Sequence, residues 1–160
     1  LRGPEPPESL IVTRTFSKTW SMAGARLGYC VAPSWIVEEF DKVVLPYHVD
    51  SIKQVAGRLA LDFVSEMDER VNRISVERTK IERALRELGL VVWPSEANFV
   101  LFRSTNPLFP GDLIWECLLD RSILVRNCSS WPLLEGCLRV TVGSPNENDL
   151  FIGALQEIIA

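Results

Sequence analysis

The spacing of apolar residues divides the first third of the chain into short strands and amphipathic helices. Leu10 to Arg14 is a β-branched run after a proline-rich start, and it predicts a buried strand. A stretch of small and polar residues follows, and Arg26 to Ala32 predicts a second strand. Two helices come next. One runs from about Trp35 to Val43 with Ser34 as its N-cap, and the other opens at Ser51.

A longer helix is predicted in the middle of the chain. Its apolar residues recur at spacings of three, four and seven within dense mixed charge, at Met67, Val71, Ile74, Ile81, Leu85 and Leu88. Gly89 ends this helix as a C-cap. We therefore expect a domain boundary at the start of the helix, with residues 1–66 in one domain and residues 67–160 in a second.

Beyond Gly89 the pattern changes to short strands alternating with helices. The predicted elements are strands at Leu90 to Trp93 and Asn98 to Arg103, a helix from Asp112 to about Arg121, strands at Ile123 to Arg126 and Cys137 to Val142, and a last helix capped by Asn146. The order β-β-α-β-β-α predicts a small α+β domain in which largely antiparallel strands pack against helices.

Composition and charge narrow the class of protein. The 160 residues are 47% apolar and 24% charged, as in ordinary globular proteins. The 21 acidic and 17 basic residues give a net charge of -4, which offers no support for nucleic-acid binding. No apolar run approaches the ~20 residues of a membrane span. Four cysteines without a C-x-x-C pair argue against a metal site, and we expect them to be reduced in a cytoplasmic protein.

Candidate chemistry concentrates around Lys18, between the first two predicted strands. Thr15 and Ser17 offer hydroxyl groups, and Arg26 offers a planar fork of donors. Hydroxyls and an arginine beside a lysine would suit a bound phosphate next to a reactive amine. The spacing is not that of a P-loop. Taken without its neighbours, a lysine between a strand and a small-residue turn is more often simply solvated.

The segment Thr15-Phe-Ser-Lys-Thr-Trp-Ser-Met-Ala-Gly-Ala-Arg-Leu-Gly-Tyr29 resembles the lysine region of the pyridoxal-phosphate-dependent aminotransferases of the aspartate aminotransferase fold. The resemblance is closest to the histidinol-phosphate aminotransferases, whose segments are matched in order at Pro46 to Asp50, Ala97 to Leu101, Ile123 to Asn127 and Leu138 to Gly143. It implies an α/β fold class: the C-terminal portion of this transferase fold, with the end of the large-domain sheet plus a small α+β C-terminal domain.

The resemblance also implies a cofactor and the residues that bind it. Lys18 would be the catalytic residue, because it would bind pyridoxal 5'-phosphate covalently and would move a proton once the substrate had released it. Ser17 and Arg26 would hold the cofactor phosphate, with Thr15 a weaker candidate.

Four further residues would bind the substrate according to the same resemblance. Arg139 would pair with an α-carboxylate, and Arg126 would meet the distal phosphate of histidinol phosphate. Asn98 and Tyr47 would line the substrate side of the cleft. An isolated strand arginine is more often an edge residue that discourages aggregation. Two arginines at the ends of neighbouring strands weaken that alternative without removing it.

These roles imply an aminotransferase that acts on L-histidinol phosphate and 2-oxoglutarate in histidine biosynthesis, as a homodimer that binds neither nucleic acid nor membrane. An aromatic aminotransferase, a decarboxylase acting on threonine phosphate and a non-catalytic dimerising fragment are open alternatives. In the family, the aspartate for the pyridine nitrogen precedes the lysine. We therefore expect this chain to be the C-terminal part of an enzyme and to be inactive alone.

Overall fold

A computed structural model describes residues 7–159 of the chain. Predictions that concern residues 1–6, in the proline-rich start, and Ala160 lie outside the described residues. Two compact units are present, the first ending at Arg70 and the second beginning at Val71. Within residues 7–159, no helix has the length and apolar character needed to cross a lipid bilayer.

The first unit contains a two-stranded antiparallel ribbon followed by helices. Strand β1 (Val12–Thr15) pairs with strand β2 (Gly28–Val31), so that Thr15 lies opposite Gly28. The helical elements are a 3-10 turn at Ala23–Ala25, helix α1 (Ser34–Asp41), helix α2 (Ser51–Ala60), a second 3-10 turn at Leu61–Phe63 and the start of helix α3 (Val64–Glu87).

The predicted burial of the first strand is wrong. Strand β1 begins at Val12 rather than Leu10, and three of its four residues are exposed. It pairs only with β2 in the described part of the chain. An unbroken apolar run is typical of a strand covered on both faces. The sequence pattern cannot show which neighbours are present to cover it.

The helix starts in this unit depend on their capping residues. Helix α1 includes Ser34 and has Pro33 at its N-cap position, so the predicted cap at Ser34 is wrong by one residue. Helix α2 begins at Ser51 as predicted. The Asp50 carboxylate accepts a hydrogen bond from the Lys53 amide at 2.8 Å, which satisfies one free donor of the first turn.

The second unit is a four-stranded sheet with helices on one face. Its strands are all antiparallel, in the order β3-β4-β6-β5. The element bounds are β3 (Val91–Val92), β4 (Phe99–Arg103), helix α4 (Gly111–Asp120), β5 (Arg126–Asn127), β6 (Cys137–Thr141) and helix α5 (Pro145–Ile159). The predicted order β-β-α-β-β-α and the antiparallel pairing are confirmed.

Alternate residues of the two central strands build the core of this unit. Val100 and Phe102 of β4 are fully buried, as their partners on β6 nearly are. The buried cluster consists of Ile81, Leu85, Leu90, Val100, Phe102, Ile114, Leu118, Leu138, Val140, Val142, Phe151, Leu155 and Ile158. Because side chains alternate along a strand, Phe99, Arg139 and Thr141 project from the opposite face of the sheet.

Two boundaries in the second unit differ from the prediction by more than one residue. Strand β5 begins at Arg126, where the predicted strand ends. Helix α5 begins at Pro145, so the predicted cap at Asn146 is wrong. Ser144 and Glu147 instead form a capping box, in which the Glu147 carboxylate accepts from the Ser144 amide at 2.7 Å and Ser144 Oγ accepts from the Glu147 amide at 3.4 Å. Proline is favoured at the first helical position that follows.

Candidate functional site

Lys18 lies in a tight loop directly after strand β1. The Ser21 amide donates to the Lys18 carbonyl at 2.9 Å, and the Met22 amide donates to the Phe16 carbonyl at 3.1 Å. The Phe16 ring is buried and stacks at an angle on Trp20, with 5.7 Å between centroids. The loop is therefore fixed from inside by an aromatic pair, while the Lys18 side chain is exposed at its surface.

The two predicted hydroxyls are hydrogen-bonded to each other beside this lysine. Thr15 Oγ1 donates to Ser17 Oγ at 2.8 Å and accepts from the Ser17 amide at 3.0 Å. Ser17 Oγ accepts the first of these bonds, so its own hydrogen is free to donate to another group. Thr15 thus orients Ser17, and Ser17 is the hydroxyl better placed to reach a ligand.

Arg26 occupies an unusual backbone conformation for its residue type. Its φ is +50°, in the left-handed region where glycine is the usual residue. One guanidinium nitrogen, Nη1, donates to the Ala23 carbonyl at 3.2 Å, which leaves the remaining donors of the fork available. An arginine at a position that favours glycine is consistent with a use for its side chain.

Lys18 differs from the other three lysines of the chain in its charge environment. Lys42, Lys53 and Lys80 each form an ion pair with a carboxylate. Among the residues that the structure describes, no such pair involves Lys18. A lysine without a carboxylate partner, beside an oriented hydroxyl and a nearby arginine, fits a ligand that carries both an aldehyde and a phosphate.

Tyr47 lies in the connection between α1 and α2 of the same unit. Its side chain is 97% exposed and its φ is +58°. In residues 7–159, no hydrogen bond joins Tyr47 to the Lys18 loop. The structure therefore brings Lys18, Ser17 and Thr15 together, with Arg26 in the adjoining turn, but it does not bring Tyr47 to this group.

The second unit brings Arg126 and Arg139 together. They are directly paired residues of the neighbouring strands β5 and β6. Both line a groove of about 430 Å³, together with Trp115, Leu124, Val125, Asn127 and Thr141. In the described part of the chain, neither arginine forms an ion pair with a carboxylate. Because like charges directly opposite each other on a sheet repel, this pair suits a bound anion.

The environment of Arg139 strengthens this interpretation. Its guanidinium carbon lies 4.8 Å from the centroid of the Phe99 ring, a cation–π contact that fixes the side chain over the sheet. Its Nε is buried and has no hydrogen-bond partner within residues 7–159. A buried donor without a partner is costly, and a carboxylate or phosphate oxygen would satisfy it.

Asn98 precedes strand β4 and is held by its backbone. Its carbonyl accepts from the Val142 amide at 2.9 Å, which continues the pairing of β4 with β6. Arg78 of helix α3 donates to the carbonyl of the preceding residue, Ala97, at 3.1 Å. Asn98 therefore extends a strand that pairs with β6, where Arg139 lies.

Several groove residues are absent from the sequence-based candidates. Thr141 lies two residues after Arg139, so strand alternation alone places it on the same face. Asn127 follows Arg126 directly. Trp115 belongs to helix α4, and no local pattern indicates that its indole would reach the groove.

The chain belongs to the class I and II aminotransferases, because the family profile matches residues 2–155. The cofactor of this family is pyridoxal phosphate. The predicted family and fold class are thus confirmed, and with them the cofactor of the family. The roles of individual site residues stay predictions.

More specific likenesses are to histidinol-phosphate aminotransferases. That of Corynebacterium glutamicum strain R is 40% identical over 153 residues, which are 96% of this chain and 40% of the relative. The solved structure of the Sinorhizobium meliloti enzyme with pyridoxal-5'-phosphate is 31% identical, has a TM-score of 0.79, and is matched over 93% of this chain and 40% of its own.

A decarboxylase is also similar to this chain. L-threonine-O-3-phosphate decarboxylase from Porphyromonas gingivalis is 25% identical with a TM-score of 0.80, matched over 94% of this chain and 46% of its own. This chain thus spans less than half the length of these relatives.

Proposed function

We propose that this chain supplies the lysine and the anion-binding arginines of an aminotransferase that transfers the amino group of L-histidinol phosphate to 2-oxoglutarate in histidine biosynthesis. The observation that carries the proposal is the directly opposed pair of Arg126 and Arg139 at one groove. This pair of arginines suits a reaction in which one substrate bears a phosphate and the other bears carboxylates. The likeness to histidinol-phosphate aminotransferases supports the same substrate.

The residues around Lys18 would anchor the cofactor and handle the proton. Bound pyridoxal phosphate supplies an electron sink for the bond that breaks at the substrate carbon. Lys18 Nζ would hold the cofactor covalently and, once the substrate has released it, would move the proton from the substrate Cα to the C4′ carbon of the cofactor. The Ser17 hydroxyl and the Arg26 guanidinium hold the cofactor phosphate, and Thr15 keeps the Ser17 hydroxyl in position.

The second unit would orient the substrates. The Arg126 guanidinium would bind the phosphate of histidinol phosphate, and Arg139 would bind the α-carboxylate of the oxo acid bidentately, through two of its N–H donors. The Phe99 ring holds the Arg139 guanidinium in one place, so less side-chain freedom is lost on binding. Asn98 of this unit would also contact the substrate, and Tyr47 of the first unit would be a further substrate-binding residue.

The complete enzyme would contain more than these residues. In our proposal, residues 1–66 complete a larger cofactor-binding domain, residues 67–160 form the small domain, and the enzyme works as a cytoplasmic homodimer. The 160 residues alone would then not catalyse transamination. A stable visible absorption band with pyridoxal phosphate, together with turnover of histidinol phosphate by this chain alone, would contradict this part.

The substrate is tested with an arginine variant and two amino donors. In the full-length protein, Arg126→Ala should lower kcat/KM for histidinol phosphate by about 10- to 100-fold, the loss expected for one charge-assisted pair. The value for glutamate should change much less, because glutamate carries no phosphate. Equal losses for both donors would contradict the assigned role of Arg126.

A decarboxylase of threonine phosphate is the second candidate. The similarity to the Porphyromonas gingivalis enzyme favours it, and its substrate also carries a phosphate that Arg126 could bind. The products separate the two candidates. Release of carbon dioxide from threonine phosphate, without amino transfer from histidinol phosphate to 2-oxoglutarate, would favour the decarboxylase.

A further inference from the structure

Strand β5, which carries Arg126, has little structure of its own to hold it. It is two residues long and lies at the edge of the sheet, so among the described residues it pairs on one side only, with β6. A guanidinium that recognises an anion must nevertheless be held in a defined place. The position of Arg126 therefore depends on contacts from outside the strand.

Helix α4 makes these contacts on both sides of Arg126. Trp115 Nε1 donates to the carbonyl of Val125 at 3.1 Å. Asp112 Oδ1 accepts from Asn127 Nδ2 at 2.8 Å. Asp112 and Trp115 are three positions apart in the helix, so they lie on one face. One helix face thus holds the residue before Arg126 and the residue after it.

Asp112 also closes a small network with the turn that follows β5. The same Oδ1 atom accepts from Ser129 Oγ at 3.1 Å, and the Ser129 amide donates to Asn127 Oδ1 at 2.9 Å. Asp112, Asn127 and Ser129 are therefore each bonded to the other two, with Ser129 using its hydroxyl for Asp112 and its amide for Asn127. If Asp112 lost its acceptor, the bond between Asn127 and Ser129 would be all that remained of this network.

The start of helix α4 is itself fixed against the chain that leads into β6. A Cβ placed on Gly111 would lie 2.3 Å from the carbonyl oxygen of Gly136. This close approach locks Asp112, the next residue, relative to strand β6. The network consequently ties β5 to the same frame that carries Arg139.

We propose that Asp112 is a positioning residue for the phosphate group of the substrate: it fixes Asn127 so that Arg126 meets the phosphate beside Arg139. This inference rests on the proposed function. The direction in which phosphate affinity changes when Asp112 is removed tests this role. Asp112 carries a negative charge near the groove, so a purely electrostatic role would oppose phosphate, and its removal would tighten binding. A positioning role predicts weaker binding on removal.

Phosphate binding is measured by titrating the chain with inorganic phosphate and following the Trp115 indole N–H signal by NMR. Asp112→Ala should raise the dissociation constant about tenfold, as expected when one charge-assisted interaction is misplaced. Asp112→Asn keeps an acceptor oxygen at the same place, so it should restore most of the affinity. Ser129→Ala removes one of the two donors and should give a smaller loss.

Glu147→Ala is the matched control. Glu147 is also a carboxylate in the first turn of a helix, and it accepts from the hydroxyl and amide of Ser144 without touching β5. It should leave the dissociation constant unchanged. If Asp112→Ala does not fold, as judged from the amide spectrum, the comparison of Ser129→Ala with Glu147→Ala carries the test.

The outcomes separate the two proposals. If wild type binds phosphate in this groove but the Asp112 and Ser129 variants bind as well or more tightly, the positioning role is wrong while the proposed function stands. If wild-type Trp115 does not respond to phosphate, the anion site fails and the positioning role fails with it. In the full-length protein, Asp112→Ala should raise KM for histidinol phosphate and leave kcat/KM for glutamate unchanged.

Discussion

Arg126 and Arg139 lie opposite each other on adjacent strands, an arrangement that a purely structural sheet would avoid. Replacing Arg126 by threonine removes the like charge and favours the strand. We therefore expect Arg126→Thr to raise the free energy of unfolding in the absence of anions by about 0.2–1 kcal/mol, the range for cross-strand pairs.

Urea unfolding at low ionic strength measures this change, and the same variant should lose phosphate binding. Such a trade of stability for function is expected at binding sites. A variant that is less stable than wild type in phosphate-free buffer would instead indicate that Arg126 stabilises the fold, and would weaken the case for an anion site.

The family resemblance selected Lys18, Arg126 and Arg139 as candidates, because it is carried by local segments of the sequence. The residues that fix them could not be selected in this way. Asp112 and Asn127 are fifteen positions apart, and their hydrogen bond exists only because α4 packs beside β5. Arg78 likewise reaches a carbonyl nineteen positions away. Such contacts depend on tertiary packing, which no local pattern encodes.

Among the elements, α4 and α5 each contain a glycine in a different environment. Gly111→Ala should destabilise the second unit by about 1–3 kcal/mol, because its new methyl group would collide with the Gly136 backbone. Gly153 lies inside α5 with no heavy atom within 4 Å of an added Cβ. Gly153→Ala should therefore stabilise by about 0.5–1 kcal/mol. Thermal unfolding of both variants measures these changes in stability. If Gly111→Ala changed stability in the same way as Gly153→Ala, the described packing at Gly111 would be contradicted.

The capping box of α5 makes a pH-dependent contribution. The hydroxyl and amide of Ser144 lower the pKa of the Glu147 carboxyl below its ordinary value of 4.5. A lowered pKa means that the stabilisation is fully present above 4.5 and is lost as the pH falls through the folded-state value. Wild type should therefore melt at a higher temperature than Glu147→Gln at pH 7, and the gap should close in acid. A gap that is constant with pH would rule out this contribution.

Element boundaries show where sequence patterns succeed. Strand β4 alternates between half-buried and buried residues, and β6 alternates between buried and more exposed residues from Leu138 to Thr141, so periodicity locates them well. Strand β5 has only two residues, too few to show any period, and its predicted range ends where the actual strand begins. The start of α5 was missed because the Ser-Pro-Asn-Glu capping box competes with Asn146 as a start signal.

At the scale of the whole molecule, the two units differ in how much core they contain. All thirteen residues of the main buried cluster belong to the second unit, whereas Phe16 and Ile36 are the buried large apolar residues described in the first. Slow hydrogen exchange requires amides that open only with the core. We expect strong protection for amides of β4 and β6 and rapid exchange for those of β1 and β2. Comparable protection in both pairs of strands, in this chain alone, would contradict this expectation.

The most direct test concerns Lys18 itself. The full-length protein is incubated with pyridoxal phosphate and reduced with borohydride. It is then digested, and the modified lysine is located by mass spectrometry. Because Lys42, Lys53 and Lys80 are ion-paired, they serve as internal controls within the same chain. We predict a pyridoxyl group on Lys18 and little on the other three. A label spread evenly over the four lysines, or absent from Lys18, would contradict the assignment of this chain's active-site lysine.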